Sequence, residues 1–486
     1  MRPTVKFLSK SLIEQIISEA KDILCKLGVK IENPELVSKL ADYGARIEND
    51  ASKVFFTNEI IERALKSVPK SFQLFDSSGN ETNNFSGNNI HYTPGSSAIN
   101  FLDYESQDIK QPLTKDYIRY VKIVDQLKYI ASQSTAFIPT DVQDKFADSY
   151  RLFLSLLYSG KPVVTGTFTA ESFEVMKNFL VTVRGSKEAL KEKPLSVFTA
   201  CPTSPLKWGD VSSQNLTDCA RYSIPVEIVC MPMAGFISPV TLTGTLIQHT
   251  AETLSGIVIS QMTNPGTPIL YGGSPAIFDI RYETTPMGAV ETMMIDCAYN
   301  EIGKYLGIPT QAYIALSDSK FLDAQAGLED GMGATLAALS GINNISGPGM
   351  MDFENCFSLE KLVFDNEVCG KTLRMIKGIE PKDDFPAISL FTELLEEEHL
   401  LISKHTRKHL RTEHHFPGSI INRASRSRWI EEGSTTLLQR AHSEVERLVS
   451  EYSSSHLTDE VRKELINLME QEAKTHGQGS LPEREV

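Results

Sequence analysis

The sequence predicts an α/β fold of the (β/α)8 TIM-barrel type, with a helical layer before the barrel and a helical extension after it. Between residues 91 and 352, short apolar segments rich in β-formers alternate with helical segments, and eight such units can be counted. A closed (β/α)8 barrel usually takes about 250 residues. No GxGxxG or GxxxxGK[ST] pattern follows any predicted strand, which disfavours an open nucleotide-binding sheet.

Residues 1–90 are predicted to be a helical layer packed on the barrel. Apolar residues recur at helical spacing in 9–27, and 33–43 and 57–67 have similar patterns. Asn33 is a suitable cap for the second helix, with Pro34 in its first turn. Residues 76–89 are rich in Ser, Gly and Asn, which is typical of a loop or hairpin.

The barrel is predicted at residues 91–352. Its predicted strands are short, apolar and bounded by Gly, Pro or polar residues: 98–102, 130–136, 162–167, 195–200, 226–231, 268–272, 310–316 and 343–346. The predicted helices between them are 114–127, 145–158, 170–184, 213–222, 239–262, 287–306 and 323–340.

The stretch 308–352 is the most informative part of the barrel. A buried strand is followed by Ser317, Asp318, Ser319 and Lys320, then by a helix and a second strand ending in Gly347-Pro348-Gly349. Parallel α/β folds bind ligands at the carboxyl ends of their strands. The alternative is that these are two ordinary loops with solvated side chains.

Residues 353–486 are predicted to form a charged helical extension with amphipathic helices at 434–452 and 459–475 and a disordered tail at 477–486. His405 and His409, with His414 and His415, have a spacing that could suggest a metal. They lie in a highly charged helix and loop, however, so a solvated surface is the favoured interpretation.

Composition narrows the function classes. The net charge of −14 disfavours nucleic acid as a partner, because phosphate binding needs basic patches. The seven cysteines form no CxxC pair, which argues against structural zinc and for reduced thiols. The N-terminus lacks the apolar core of a signal peptide, and no run approaches the roughly 20 apolar residues that span a bilayer. We therefore expect a cytoplasmic protein without membrane contact.

The predicted strand ends are rich in Gly, Pro, Ser and Met and contain no histidine in the last five barrel loops. This disfavours hydrolysis, metal chemistry and acid–base catalysis by histidine. Glycines at these ends would let a flat ligand or another backbone approach, or would only form tight turns. They are Gly166, Gly235, Gly272, Gly273, Gly347 and Gly349.

Five aromatic residues lie on or near predicted strand ends, where their faces would suit a quaternary ammonium by cation–π attraction. The alternative for most of them is ordinary core packing. They are Phe198, Phe236, Tyr271, Tyr313 and Phe357.

Several segments together resemble the trimethylamine methyltransferase superfamily over nearly the whole chain. They are 198–206, 272–281, 317–327, 346–352 and 405–411, with Arg423 and 429–433. The resemblance implies a TIM barrel that moves a methyl group from an amine to the Co(I) corrinoid (cobalamin) of a separate small corrinoid-binding protein. The barrel itself would hold neither a metal nor a tightly bound cofactor.

One departure bears on the substrate. Founding members of the superfamily use pyrrolysine at the barrel mouth, and this chain has only standard residues; the matching position falls, as a guess, within 317–321. The resemblance is therefore to the non-pyrrolysine branch, which demethylates quaternary amines such as glycine betaine, proline betaine or carnitine. A quaternary ammonium is already activated, because it loses a methyl group and leaves as a neutral amine.

The resemblance assigns expected roles. Ser317, Asp318 and Gln325 would position the substrate, and the five aromatic residues would hold its ammonium group. Arg281 or Lys320 would bind a carboxylate, although Arg281 could instead pair with Asp279 or Glu283. Gln311, Gln325 and Asn344 are neutral alternatives for a hydroxylated or cyclic substrate.

The six glycines would face the corrin. Gly273→Trp or Gly347→Trp would then leave the fold largely intact while blocking transfer to the carrier. Two other function classes stay open: a non-catalytic barrel that acts as a sensor or scaffold, and a lyase using Lys320 as a Schiff base. We also expect a homo-oligomer.

Overall fold

The computed structural model describes residues 1–48, 52–383, 385–453 and 456–484, and the protein is a mixed α/β structure. At its centre are two parallel sheets. Five strands form the first sheet, in the order Ile269–Gly273, Val226–Cys230, Ser196–Ala200, Val163–Thr165, Gln133–Ser134. Three strands form the second, in the order Gln311–Tyr313, Asn344–Ser346, His91–Thr93.

Isolated bridges connect the two sheets at both edges. Tyr92 pairs in parallel with Ile130, and Tyr271 pairs in parallel with Thr310. The strand Val226–Cys230 is buried at every residue, as expected for parallel strands covered on both faces. All eight strands of these two sheets therefore direct their carboxyl ends to one side of the structure.

A helix follows each central strand, and most helix positions were predicted to within three residues. The helices are Thr114–Gln126, Ala147–Tyr158, Ser172–Arg184, Asp210–Arg221, Leu242–Thr263, Val290–Tyr305, Ala324–Ser340 and Leu359–Met375. Two short elements, Asp144–Phe146 and Lys187–Glu192, lie between them. Local chemistry sets the boundaries: the Asp323 carboxylate accepts from the amides of Gln325 and Ala326, and Gly341 ends that helix with φ +75°.

The N-terminal region contains the three predicted helices, Lys10–Lys26, Pro34–Asp42 and Asn58–Ser67. It is not only helical, however. The short strands Val29–Ile31, Arg46–Ile47 and Lys53–Phe55 form a sheet with Lys207–Trp208, and Gln73–Phe75 pairs with Glu81–Asn84 as a hairpin. Strands of two to four residues bury too few side chains to give an alternating pattern in the sequence, although a loop or hairpin was predicted at 76–89.

The predicted first central strand, 98–102, is wrong. The first strand is His91–Thr93, which pairs in parallel with Asn344–Ser346. Asn100–Leu102 belongs to a separate small sheet, where it pairs with Ile109–Lys110 and Cys356–Phe357; the latter pairs with Met350–Met351. The apolar residues of 98–102 suggested a buried strand, yet Ile99 is exposed.

The C-terminal region is helical. Its helices are Ile388–Glu397, Lys404–Glu413, Arg426–Glu431, Leu437–Glu451 and Asp459–Thr475. Leu437–Glu451 buries Ala441, Val445 and Leu448, whereas Ile388–Glu397 buries none of its residues. Part of the tail predicted to be disordered packs on the protein, because the Tyr158 hydroxyl donates to the Arg484 carbonyl at 3.1 Å. Residues 485–486 lie outside the described residues.

Candidate active site

A cavity of about 290 Å³ lies at the carboxyl ends of the central strands. Its walls contain residues that end or follow each of the eight strands: Ser96, Ser97, Thr135, Arg151, Thr165, Gly166, Thr167, Phe168, Thr199, Cys201, Val229, Met231, Ser274, Tyr313 and Glu354. Larger grooves lie among the N-terminal helices, outside this convergence of strand ends. The volume is at the small end of the range for small-molecule sites, roughly 300 Å³ and above.

Glu354 places a carboxyl group in the cavity wall. The Ser274 hydroxyl donates to its Oε2 at 3.3 Å, whereas the buried Oε1 has no hydrogen-bond partner among the described residues. Burial raises the pKa of Glu354 to about 8, even though the Ser274 hydrogen bond opposes the shift. An unsatisfied buried oxygen is costly, so its position at a cavity wall makes Glu354 a candidate ligand-binding group.

The backbone that carries Glu354 is strained. Asp352, Phe353 and Glu354 have φ values of 49°, 58° and 65°, and non-glycine residues rarely enter this left-handed region. Lys320 holds this turn from outside: its Nζ lies 3.2 Å from Asp352 Oδ1 and 4.0 Å from the Phe353 ring centroid. Lys320 does not line the cavity, which leaves the Schiff-base interpretation without support.

A second carboxyl group lies behind the cavity wall. Glu227 is fully buried in the strand Val226–Cys230, where it accepts from the Thr199 hydroxyl at 2.7 Å and from Asn344 Nδ2 at 3.5 Å. Burial raises its pKa to about 7. Tyr313, in the neighbouring wall, shares a hydrogen bond of 2.9 Å with Ser96 Oγ, and burial raises its pKa.

Arg151 places a positive charge in the wall of the same cavity. It is 1% exposed, and its Nη1 donates to Ser97 Oγ at 3.1 Å and to the Thr135 carbonyl at 2.7 Å. Its guanidinium lies 4.5 Å from the Phe168 ring centroid. Within the described ranges, no carboxylate forms an ion pair with Arg151. The buried Asp148 carboxylate on the same helix acts on Arg151 through its charge, but it accepts from the Phe168 amide and forms no ion pair with Arg151. Buried charges are normally paired, which makes Arg151 a candidate for contact with an anionic ligand group.

The wall near Arg151 has further unused polar groups. Thr165 Oγ1 and Thr167 Oγ1 are buried and have no hydrogen-bond partner in the part of the chain that the structure describes. Hydroxyl groups can donate to a carboxylate. The cavity thus combines a donor-rich part around Arg151 with a carboxyl group at Glu354.

The cavity contains little for covalent or metal catalysis. Burial raises the pKa of the Cys201 thiol to about 12, so the thiol stays protonated and is a poor nucleophile. No histidine is among the cavity residues given above. Across the described residues, no three His, Cys, Asp or Glu side chains gather as a metal site.

Two of the predicted site residues, Tyr313 and Gly166, line this cavity. Three of the predicted aromatic residues are core residues instead. Phe198 packs against Phe173, the Tyr271 hydroxyl donates to Thr250, and Phe357 packs against Tyr120 and Phe137. Phe236 is at the surface, stacked on Phe278.

The polar residues predicted to position the substrate are paired elsewhere. Ser317 donates to Glu329 Oε2 at 2.6 Å, and Gln325 donates to Glu329 Oε1 at 2.9 Å. Asp318 accepts from the amides of Met287 and Gly288, and burial raises its pKa to about 6. These contacts connect a loop to its own helix and to the preceding loop, so none of the three lines the cavity.

The predicted carboxylate and amide contacts also lie apart from the cavity wall. Arg281 pairs with Asp279 at 2.6 Å and is exposed, which was the alternative interpretation. Gln311 Oε1 accepts from the amide of Gly273 at 3.2 Å, whereas its Nε2 is buried without a hydrogen-bond partner among the described residues. Asn344 donates to Glu227, behind the cavity wall, and does not line the cavity itself.

Four of the glycines expected to face a corrin are buried: Gly272, Gly273, Gly347 and Gly349. A Cβ at Gly347 would lie 2.2 Å from the Ile314 carbonyl oxygen, and one at Gly273 would lie 2.4 Å from His249 Nε2. The expectation that tryptophan at Gly273 or Gly347 leaves the fold intact is therefore wrong. Gly235 is exposed, and Gly166 is half-buried at the cavity.

The sequence contained a signal for two of the missed residues. Arg151 interrupts the apolar helix Ala147–Tyr158, and Glu227 interrupts the apolar strand Val226–Cys230; a charge among buried residues is a candidate functional group. Glu354 lies in a turn with no such contrast, and only the structure identifies it.

The chain is similar to known proteins over nearly its full length. The sequence model of the trimethylamine methyltransferase (MTTB) family matches residues 1–477. A glycine betaine methyltransferase of Desulfitobacterium hafniense (strain Y51) is 29% identical over 480 residues, covering 98% of this chain and 99% of that protein. A trimethylamine methyltransferase MttB of D. hafniense (strain DSM 10664 / DCB-2) is 26% identical over 456 residues, covering 94% and 92%.

Among solved structures, the monomethylamine methyltransferase MtmB of Methanosarcina barkeri aligns over 95% of this chain and 88% of its own, with 14% identity and a TM-score of 0.49. The family match covers almost the entire sequence. The chain therefore belongs to the trimethylamine methyltransferase (MTTB) family and is a methyltransferase.

Proposed function

We propose that this methyltransferase demethylates a quaternary amine that also carries a carboxylate, such as glycine betaine, proline betaine or carnitine. The methyl group would pass to the Co(I) corrinoid of a separate small carrier protein, in the cytoplasm. The observation that carries the proposal is that one cavity holds a buried guanidinium without an ion pair among the described residues, Arg151, and a buried carboxyl group with an unpaired oxygen, Glu354. The similarity to a glycine betaine methyltransferase supports the same substrate class.

The proposed scaffold is a (β/α)8 barrel. Support comes from the parallel pairing of eight strands among the described residues and from the bridges Tyr92–Ile130 and Tyr271–Thr310 at the two sheet junctions. Each strand is followed by a helix, as in that fold. In such barrels the ligand site is at the carboxyl ends of the strands, where the cavity lies.

In the proposed complex, the carboxylate of the substrate contacts Arg151. A guanidinium is suited to this role because its N–H groups match carboxylate geometry. The free hydroxyls of Thr165 and Thr167 would complete the contact. Binding would give the buried cation a direct ion pair, which it lacks among the described residues although Asp148 is near.

The ammonium group would occupy the part of the cavity near Glu354 and Tyr313. An ionised Glu354 attracts the cation, and the Tyr313 ring offers a face for cation–π contact. Glu227 adds negative charge behind Thr199 when it ionises. A trimethylammonium group has no N–H to donate, so the protein can bind it only through opposite charge and through contact with aromatic rings.

The reaction needs no proton transfer from Glu354 or Tyr313, the titratable oxygen groups of the wall. The N–CH₃ bond breaks with its electron pair left on nitrogen, so the product amine is neutral and needs no proton. The chain's part is to exclude water from the cation and to hold one methyl group toward the cavity opening. The protonated Cys201 thiol and the paired Tyr313 hydroxyl are compatible with this passive chemistry.

The opening of the cavity fits a corrinoid presented by another protein. Phe168 and Met231 line the cavity and are also exposed, so the rim offers apolar contacts to a large flat ring. A reduced corrinoid cobalt would supply the nucleophile that accepts the methyl group. The residues of this chain that touch the carrier would then be those of the rim.

Substrate binding by an Arg151→Met variant tests the carboxylate assignment. Glycine betaine should bind about 100-fold more weakly, because a buried charge-assisted contact is lost, while tetramethylammonium should change less than about threefold. Arg281→Met is the matched control, since Arg281 is exposed and paired with Asp279. Calorimetry gives the affinities. Equal losses for both ligands would contradict the assignment.

Methyl transfer is tested separately with Co(I) cobalamin and a panel of quaternary amines with and without a carboxylate. The visible spectrum should report methylation with a betaine-type substrate. If no quaternary amine methylates the corrinoid, with or without a carrier protein from the same genome, the proposed reaction is refuted.

A further inference from the structure

The C-terminal hairpin, residues 385–413, contains an apolar surface that nothing in the described chain covers. Six large apolar side chains there are exposed by 58% to 80%: Phe385, Ile388, Phe391, Leu395, Leu401 and Ile402. Ile388, Phe391 and Leu395 share one face of the helix Ile388–Glu397, because their spacing is i, i+3, i+7. No residue of this helix is buried.

Such a patch is larger than a soluble monomer normally exposes. Large apolar side chains carry on the order of 150–250 Å² each, so the six together expose roughly 800 Å². Two copies of the patch would bury about 1,600 Å², the usual size of a stable protein–protein interface. The area is therefore sufficient for a contact between two copies of this chain.

The charges of the hairpin are divided between its two helices. The first helix ends in a glutamate-rich segment: Glu393, Glu396, Glu397 and Glu398. The second, Lys404–Glu413, is basic through Lys404, Arg407, Lys408 and Arg411. Within the described residues, none of these eight side chains forms an ion pair, although Lys382 and His405 nearby are paired with Glu413 and Asp383.

We propose that the hairpin is the contact of a two-fold dimer, in which the apolar patches of the two copies pack on each other and the acidic helix of each copy lies beside the basic helix of the other. A two-fold axis uses the same patch twice, so a surface with one acidic and one basic helix is complementary to itself. The exposed apolar residues would form the centre of the interface, and the eight charges would set its orientation. This inference does not rest on the proposed substrate.

Charge reversal on either helix gives a sharp test. Variant A is Glu393→Lys/Glu396→Lys/Glu397→Lys, and variant B is Arg407→Glu/Lys408→Glu/Arg411→Glu. Each variant alone should dimerise about 100-fold more weakly in sedimentation velocity, because like charges then face each other at both contacts. An equimolar mixture should form A–B dimers of near wild-type affinity, since one contact is native and the other is reversed but complementary.

A second variant isolates the apolar contribution. Phe391→Asp/Leu395→Asp should weaken the dimer by at least about 30-fold, as expected for central interface residues. Leu27→Asp, also at an exposed apolar position, is the matched control and should leave the dimer intact. Far-UV circular dichroism of every variant should match the wild type, because none of the changed hairpin residues is buried. Loss of the dimer itself should lower the thermal midpoint by mass action.

Three outcomes would overturn the proposal. The wild type could be monomeric at micromolar concentration, which would assign the patch to a different partner. The wild type could be oligomeric but insensitive to both reversals. Finally, variants A and B could each lose the dimer without recovering it on mixing. That result would exclude charge pairing between the acidic helix of one copy and the basic helix of the other.

Discussion

The segments that follow two neighbouring central strands differ in whether their polar side chains are paired within the protein. The loop 317–320 follows the strand Gln311–Tyr313, and the turn 352–354 comes after the adjacent strand Asn344–Ser346. The loop is rich in polar residues, yet Ser317 and Asp318 are both bound by other parts of the protein. The turn contributes one carboxyl group, Glu354, whose Oε1 has no partner.

The difference shows that pairing, rather than polarity, separates a functional group from a structural one. A satisfied carboxylate such as Asp318 stabilises the fold through its two backbone contacts. An unsatisfied buried group costs about 1–3 kcal/mol and persists only where something else requires it. Glu354 adds backbone strain to this cost. Both features favour the turn over the loop as the substrate-binding element.

The largest expected effect comes from Gly347, where the chain leading to the turn 352–354 passes close to the backbone that precedes the loop 317–320. A Cβ at Gly347 would meet the carbonyl oxygens of Ile314 and Ala315 at 2.2 and 2.9 Å. Gly347→Ala should therefore lower the free energy of unfolding by roughly 3 kcal/mol or more, because rigid backbone must move. Thermal or denaturant unfolding measures this.

Gly166→Ala is the matched control, since its Cβ would lie 3.5 Å from the Thr199 carbonyl in ordinary contact. Gly166 is also at the cavity, so its variant should unfold like the wild type while testing whether the wall tolerates a methyl group. Equal destabilisation by both substitutions would show that the contact at Gly347 relaxes easily.

The second effect compares the two carboxyl groups directly. Glu354→Gln should weaken quaternary-amine binding by about 2 kcal/mol, or roughly 30-fold, because a buried counter-charge is lost. Asp318→Asn should change affinity by less than about threefold and should instead lower stability by about 1 kcal/mol, since one backbone donor loses its acceptor. Calorimetry and unfolding separate the two. A comparable loss of affinity in both variants would place Asp318 at the substrate.

The pH dependence provides a third effect with opposite signs for binding and stability. Glu354 and Glu227 have folded-state pKa values of about 8 and about 7, both raised by burial. The folded protein thus keeps protons that the unfolded chain loses near pH 4.5, so the stability of the free protein should fall as pH rises toward 8. Affinity for the cation should rise over pH 6–8, because the carboxyl groups ionise.

We expect about a tenfold tighter glycine betaine affinity at pH 8 than at pH 6, corresponding to one pKa unit of linkage. Calorimetry in two buffers of different ionisation enthalpy should show proton release on binding. Glu354→Gln should remove the part of the profile above pH 7.5. A flat profile in the wild type would mean that the substrate binds without ionising either carboxyl group.

Much of the fold could be predicted because it depends on local patterns. Apolar periodicity located the helices around the central strands, since each buries a continuous stripe. Very short strands escaped: His91–Thr93 has three residues and a polar residue at each end, so neighbouring Ala98–Leu102 looked more like a buried strand. Its place in the sheet depends on pairing with Asn344–Ser346, which is distant in sequence.

The site was less predictable for a physical reason. Strand-end position could be inferred for Tyr313 and Gly166, but the direction of a side chain could not. Tyr271 and Phe198 sit in central strands and point into packed surroundings instead of the cavity. Arg151 comes from a helix, and Glu354 from a turn well past its strand, so neither belongs to a strand-end pattern.

The smallest expected effect concerns Lys320, the residue that connects the loop to the turn. Its ammonium group contacts Asp352 at 3.2 Å and lies over the Phe353 ring, and its side chain is half exposed. A solvent-screened pair of this kind contributes about 0–1 kcal/mol. Lys320→Met should thus loosen the turn only slightly and weaken quaternary-amine binding by about threefold, whereas Lys320→Arg should bind like the wild type because arginine can make both contacts. Calorimetry on the three proteins measures this positioning role.

Borohydride with a carbonyl substrate should trap nothing at Lys320, since its amine lies outside the cavity wall. A 30-fold loss that arginine does not restore, or a trapped adduct, would show instead that Lys320 contacts the substrate and that the loop belongs to the site.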